Sequence, residues 1–136
     1  MTSLNHIGIA VSKLPELQKL FALLDLKSEH VESIPDQGVK AHFIDLPTQQ
    51  SHLELLEVTD PHGKVAQFIA KRGPGIHHLS FLLDKGALLP TCEKLRQAGY
   101  RLTYDQPQKG AHQMLINFIH PASAGGILIE LMEPQA

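Results

Sequence analysis

Cysteine is nearly absent from this chain. Cys92 stands alone among 136 residues, which excludes an internal disulfide and a metal site built from sulfur alone, and makes a reducing compartment the natural expectation. Long apolar runs are lacking too. None approaches the ~20 residues of a membrane span, and Met1-Thr2-Ser3-Leu4-Asn5-His6 does not follow the basic, apolar, small-residue order of a signal peptide. The expectation is a cytoplasmic protein with no membrane partner. Neither sign of charge dominates: 12 Lys and Arg against 14 Asp and Glu give a net charge of −2, so nothing draws the chain to phosphate polymers and nucleic acid is not an expected partner. Low-complexity segments and long linkers are missing as well. With 43% hydrophobic and 19% charged residues, one folded domain over 1–136 is expected, burying roughly two-thirds of the surface its unfolded form exposes.

What is present is a pattern written twice. Asn5-His6-Ile7-Gly8-Ile9-Ala10-Val11 matches His77-His78-Leu79-Ser80-Phe81-Leu82-Leu83 in its order of histidine, apolar, small and apolar residues, and both segments read as strands. Each precedes a helical pattern. Leu17, Leu20, Phe21 and Leu24 recur at helical spacing after Pro15, while Pro90 opens a second stretch through Cys92 and Leu95 that Gly99 should stop. Later, Leu53-Glu54-Leu55-Leu56-Glu57 matches Ile129-Glu130-Leu131-Met132-Glu133. Two further strands fit into each half, about 28–34 and 39–46, then about 101–104 and 113–119, with turn signals between them. The fold class is therefore α+β: two tandem βαβββ modules, the first about 1–60 and the second about 75–136, joined over about 61–74 by a short helix carrying Val65, Ala66, Phe68 and Ile69.

Histidine and glutamate fall at equivalent places in the two copies. Glu54 follows His6 by 48 residues and Glu130 follows His78 by 52. Alternation along a strand puts His6, Gly8 and Ala10 on one face and Ile7, Ile9 and Val11 on the other; His78, Ser80 and Leu82 likewise oppose Leu79, Phe81 and Leu83. The bulky faces suit packing under helices. The opposite faces carry a histidine followed by Gly or Ser, which leaves volume beside the imidazole for a ligand. Glu54 and Glu130 lie inside apolar strands, where an ionised carboxylate needs a partner. A lone buried histidine is usually a hydrogen-bonded core residue and a lone strand glutamate usually belongs to a surface ion pair. Four such residues at duplicated positions point instead to a divalent cation, Co²⁺, Mn²⁺, Ni²⁺ or Zn²⁺, held by His6, Glu54, His78 and Glu130.

This arrangement resembles the vicinal oxygen chelate superfamily of glyoxalases, bleomycin resistance proteins and dioxygenases, and the likeness covers essentially the whole chain. Within it, Gln37-Gly38-Val39, Val65 to Lys71, Gly75-Ile76-His77-His78, Tyr104-Asp105-Gln106-Pro107, Gly110-Ala111-His112 and His120-Pro121 followed by Gly125 to Leu131 resemble the methylmalonyl-CoA epimerase family. The resemblance implies a cupped mixed sheet around the metal, a homodimer, and a small-molecule acyl-CoA substrate. The implied reaction interconverts (R) and (S) methylmalonyl-CoA by α-proton abstraction through a metal-stabilised enolate. It needs a base on each face of the α-carbon, and Glu54 and Glu130, coming from opposite halves, are the candidate catalytic carboxylates.

Other residues receive lesser assignments. Some epimerases of this type place a further acidic residue on the strand after Gln-Gly-Val; here that position is Ala41, and the neighbouring His42 points to the other face. His112, Ser80 and Asn117 either contact the site or satisfy local groups. Lys64, Lys71, Arg72 and Lys109 are scattered cations, with no phosphate-cradling glycine motif to receive CoA. Cys92 reads as packing, His77 alternates away from the site, and His30, His52, His62 and His120 gain no specific role. Two alternatives share the resemblance: a glyoxalase I (lactoylglutathione lyase) isomerising a glutathione thiohemiacetal, and a small-molecule-binding member of the same fold without catalysis.

Overall fold

The computed structural model describes residues 1–135, the side chain of Glu29 excepted; Ala136, the last position of the expected domain, lies outside the described residues. Two compact units are formed, one from His6 to His77 and the other from His78 onward together with Met1–Asn5. The elements follow the duplicated plan with two departures: β1 (Ser3–Val11), α1 (Leu14–Leu23), β2 (Ser28–Ile34), β3 (Val39–Asp45) and β4 (His52–Val58), then α2 (Lys64–Arg72), then β5 (Gly75–Leu82), α3 (Leu88–Gln97), β6 (Gln108–Lys109), β7 (Met114–Ile119) and β8 (Leu128–Pro134). The class is α+β. Among the described residues no helix is long and apolar enough to cross a membrane.

In the first unit the strand order is β2-β3-β4-β1. β1 pairs parallel with β4, and β3 pairs antiparallel with both β4 and β2. A parallel neighbour cannot be reached through a tight turn, so the chain makes its crossing with α1 and then builds two antiparallel pairings back towards β1. Ile9, Val11, Ile44, Leu53 and Leu55 pack with Leu14, Leu17 and Phe21 of α1, which places the bulky face of β1 under a helix as expected. Ala10, Ala41 and Leu56, from the opposite face, pack with Val65, Phe68 and Ile69 of α2. That second cluster closes one end of the histidine-bearing face and leaves His6 and Glu54 beyond it along their strands. Gly38, after the turn Pro35–Gln37, adopts φ +68°, and a Cβ there would lie 2.9 Å from Asp60 Cβ. Its carbonyl accepts the N–H groups of Thr59 and Asp60, so a residue free of side chain ties the β3 entry to the approach to α2.

The second unit repeats the plan in the order β5-β8-β7-β6, with β5 parallel to β8 and the other pairs antiparallel. Leu83, Leu88, Cys92, Ile119 and Leu131 form its helix-side core. Cys92 is fully buried, and burial pushes its thiol pKa up, in keeping with a packing role.

Two expectations are corrected here. Helix α3 begins at Leu88, not at Pro90, because the buried carboxylate of Glu133 on β8 accepts the Leu88 N–H at 2.8 Å. This supplies from another element the cap that Ala87 cannot provide; Pro90 then falls within the first turn, where a missing N–H costs nothing. The strand expected at about 101–104 does not form. Leu102 makes only an isolated bridge to Ile119, and the short strand β6 lies later, at Gln108–Lys109. Asn117 explains the difference: its side-chain oxygen accepts the Tyr104 N–H at 3.1 Å and its amide donates to the Tyr104 carbonyl at 3.0 Å. One side chain thus does for Tyr104 what a ladder neighbour would do, and Asn117 serves the backbone instead of lining a site.

Two tests of these assignments concern stability. Asn117→Ala strands both polar groups of Tyr104 and is expected to lower the unfolding free energy by ~2 kcal/mol or more, read from urea denaturation; a change within 0.5 kcal/mol is the contrary result. His77 packs edge-on against Phe68 of α2 at 4.9 Å, and burial lowers its pKa from 6.5 to about 4. The unfolded chain therefore takes up a proton near pH 6.5 that the folded chain refuses until about pH 4, so this contribution is full above the upper value and disappears as pH falls through the interval. Wild type should lose up to ~3 kcal/mol more than His77→Gln between pH 7 and pH 4; parallel stability curves would remove this role for His77.

Candidate active site

The parallel pairing in each unit sets a histidine and a glutamate side by side. In the first, the register places His6 opposite His52 and Gly8 opposite Glu54. Residues two apart on a strand share a face, so His6 and Gly8 on β1 meet His52 and Glu54 on β4, and Gly8, lacking a side chain, leaves room beside the carboxylate. His6 and Glu54 are buried, at 5% and 6% exposure. His6 Nδ1 lies 3.1 Å from Glu54 Oε2, and His52 Nε2 donates to the same oxygen at 2.8 Å. The three residues bring potential ligand atoms within 4.8 Å of one another, a His/His/Glu group of the kind that suits a divalent metal.

The rings continue across the unit. His52 stacks on His6 at 5.3 Å, Phe43 of β3 lies 5.2 Å from His52, and His30 of β2 lies 5.2 Å from Phe43. A cavity of about 190 Å³ opens at the outer end of this row, lined by Asp25, Lys27, His30, Phe43 and Asp45. His30 Nε2 in turn donates to Glu32 at 2.9 Å.

In the second unit His78 and Glu130 are buried at 2% and 6% exposure, with His78 Nε2 3.9 Å from Glu130 Oε1. Ser80, opposite Glu130 as Gly8 is opposite Glu54, is fully buried, and its hydroxyl has no hydrogen-bond partner among the described residues. The expected pairs, His6 with Glu54 and His78 with Glu130, are thus each assembled within a unit. Burying these carboxylates costs free energy that nearby positive or donating groups must offset, and each has an imidazole beside it.

Ala41 is fully buried in the core, and His42, on the opposite face, bonds Glu57 at 3.0 Å, as strand alternation required. His112 sits in an exposed turn with φ +57°, and Lys64, Lys71, Arg72 and Lys109 are exposed. His52 is the residue the sequence reading missed. The signal was available in the triplet His52-Leu53-Glu54, whose alternation puts the imidazole on the face of the proposed ligand.

Comparison with known proteins identifies the family. Residues 5–118 match the family model of the Glyoxalase/Bleomycin resistance protein/Dioxygenase superfamily. The chain is 34% identical to the ethylmalonyl-CoA/methylmalonyl-CoA epimerase of Cereibacter sphaeroides, over 94% of this chain and 95% of that protein. It superposes on the crystal structure of methylmalonyl-CoA epimerase from Mycobacterium tuberculosis with a TM-score of 0.86 and 36% identity, covering 98% and 88% of the two chains. A methylmalonyl-CoA epimerase in complex with methylmalonyl-CoA and NH4+ gives a TM-score of 0.86 at 30% identity, covering 100% and 96%. The chain belongs to the Glyoxalase/Bleomycin resistance protein/Dioxygenase superfamily. Within it, the chain is an isomerase of the methylmalonyl-CoA epimerase-like kind, as its motifs implied.

Proposed function

We propose that this protein interconverts the (R) and (S) forms of methylmalonyl-CoA, using a divalent cation held by His6, Glu54, His78 and Glu130. The observation that carries the reading is the duplicated pair: one buried histidine and one buried glutamate in each unit, at matching register, beside a residue of little or no bulk. The donor set fits a borderline divalent ion, since imidazole nitrogens and carboxylate oxygens are its ordinary ligands. When bound, such a cation supplies Lewis-acid chemistry, taking up the negative charge that develops on a thioester oxygen when the α-proton leaves.

The chain's own residues do the rest. One of Glu54 and Glu130 removes the α-proton, and the other returns a proton from the opposite face, because inversion requires a base and an acid on the two sides of one carbon. Gly8 and Ser80 leave space next to these carboxylates. The acyl-CoA substrate class is supported by the names and ligands of the related epimerases. Following the resemblance, the working form is a homodimer, and the lone cysteine agrees with a cytoplasmic setting.

Solvent deuterium exchange at the α-carbon of methylmalonyl-CoA tests the reading. Wild type should incorporate deuterium, lose the activity on chelation, recover it with Co²⁺, and leave the glutathione thiohemiacetal unturned. Glu54→Gln and Glu130→Gln should each slow exchange by ~10²-fold or more while melting as the wild-type protein does. Undiminished exchange in both variants would remove the two-carboxylate mechanism, and turnover of the thiohemiacetal alone would transfer the protein to the glyoxalase reaction.

A further inference from the structure

The matching registers of the two units expose one position where the duplication is broken. His6 lies opposite His52, but His78 lies opposite Leu128; two residues on, Gly8 faces Glu54 and Ser80 faces Glu130. Each glutamate therefore follows, two positions along its strand, a residue on its own face: an imidazole for Glu54 and an isobutyl group for Glu130. Only the imidazole can donate a hydrogen bond.

We infer that His52 is a positioning residue that holds Glu54 in place as a cation ligand, making the first half of the site its anchor. The inference rests on the metal reading above. An ionised carboxylate only accepts hydrogen bonds, so the nitrogen of His52 at 2.8 Å from Glu54 Oε2 carries the proton. His6 Nδ1 also faces Oε2, at 3.1 Å. With both imidazoles on Oε2, Oε1 is the oxygen left for a cation. A glutamate side chain otherwise surrenders rotamer freedom when it binds an ion; here its orientation is set beforehand, and outer partners of this sort typically change metal affinity by 10–100-fold.

His52 is itself well held. It stacks on His6 at an interplanar angle of 28° and meets the Phe43 ring on its other neighbouring strand, so its donor is aimed by packing. Its side chain keeps 19% exposure, which makes it replaceable without emptying the core. In the second unit the corresponding Leu128 contributes packing with Ile116, Phe118 and Met132, and His78 stands further from its glutamate, at 3.9 Å.

Calorimetric titration of the metal-free, full-length protein with Co²⁺ tests the assignment. Wild type should bind one ion per chain. His52→Leu, which copies the second unit, should still bind one ion but 10–100-fold more weakly, with the melting temperature of the metal-free protein within a few degrees of wild type. His52→Gln, whose side-chain amide can donate from a similar position, should recover affinity to within about threefold of wild type. Equal affinity of wild type and His52→Leu would overturn the inference. So would a His52→Gln variant as weak as His52→Leu, because an amide replaces a hydrogen-bond donor and cannot replace an imidazole ligand. Wild type that takes up no Co²⁺ would instead refute the metal reading, and the inference with it, before any variant is compared.

Discussion

The organisation of this protein depends on a carboxylate kept out of water beside an imidazole. Glu54 and Glu130 are each about 6% exposed, on strands whose neighbouring residues are apolar, and a charge so placed persists only if its surroundings answer it. The fold meets that requirement with one device used twice. A parallel pairing between the first and last strands of a module sets histidine and glutamate on a common face, with a glycine or serine leaving room between them. Most of the remaining architecture keeps those strands adjacent: helices cover the bulky face, and antiparallel strands fill the module's edge.

The two copies differ in what surrounds the glutamate. In the first, three rings and a carboxylate lie in contact around His52; in the second, the corresponding place is apolar and a buried serine hydroxyl lies alongside the glutamate. The two carboxylates keep their place in the register but sit in unequal surroundings, an imidazole two positions before Glu54 and a leucine two positions before Glu130.

Much of this was legible in the sequence because it follows from period and spacing. Histidine and glutamate inside apolar runs, with a small residue two positions after the histidine, announce both a strand face and its unusual use; the direction of His42 follows from the same alternation. What escaped depended on contacts between elements far apart in the chain. Nothing near Pro90 says that Glu133, on the last strand, will cap a helix starting two residues earlier. Nothing in Arg101 to Tyr104 says that an asparagine on β7 will take both backbone groups of Tyr104 and limit the pairing with β7 to the bridge at Leu102. His52 is a different case: a strand histidine taken alone carries no assigned chemistry, and its significance lies in its relation to Glu54.

The parallel pairing also bears on how the molecule acquires its shape. Within each module the antiparallel strands are near neighbours in sequence, whereas the first and last strands are separated by almost the whole module, so their meeting closes the longest loop and carries the largest entropic penalty. Hairpins can therefore assemble early while the outermost strand is still unattached. The His6–Glu54 and His78–Glu130 pairs each need that contact between first and last strands, whereas His52 and Glu54 share β4 and can meet without it.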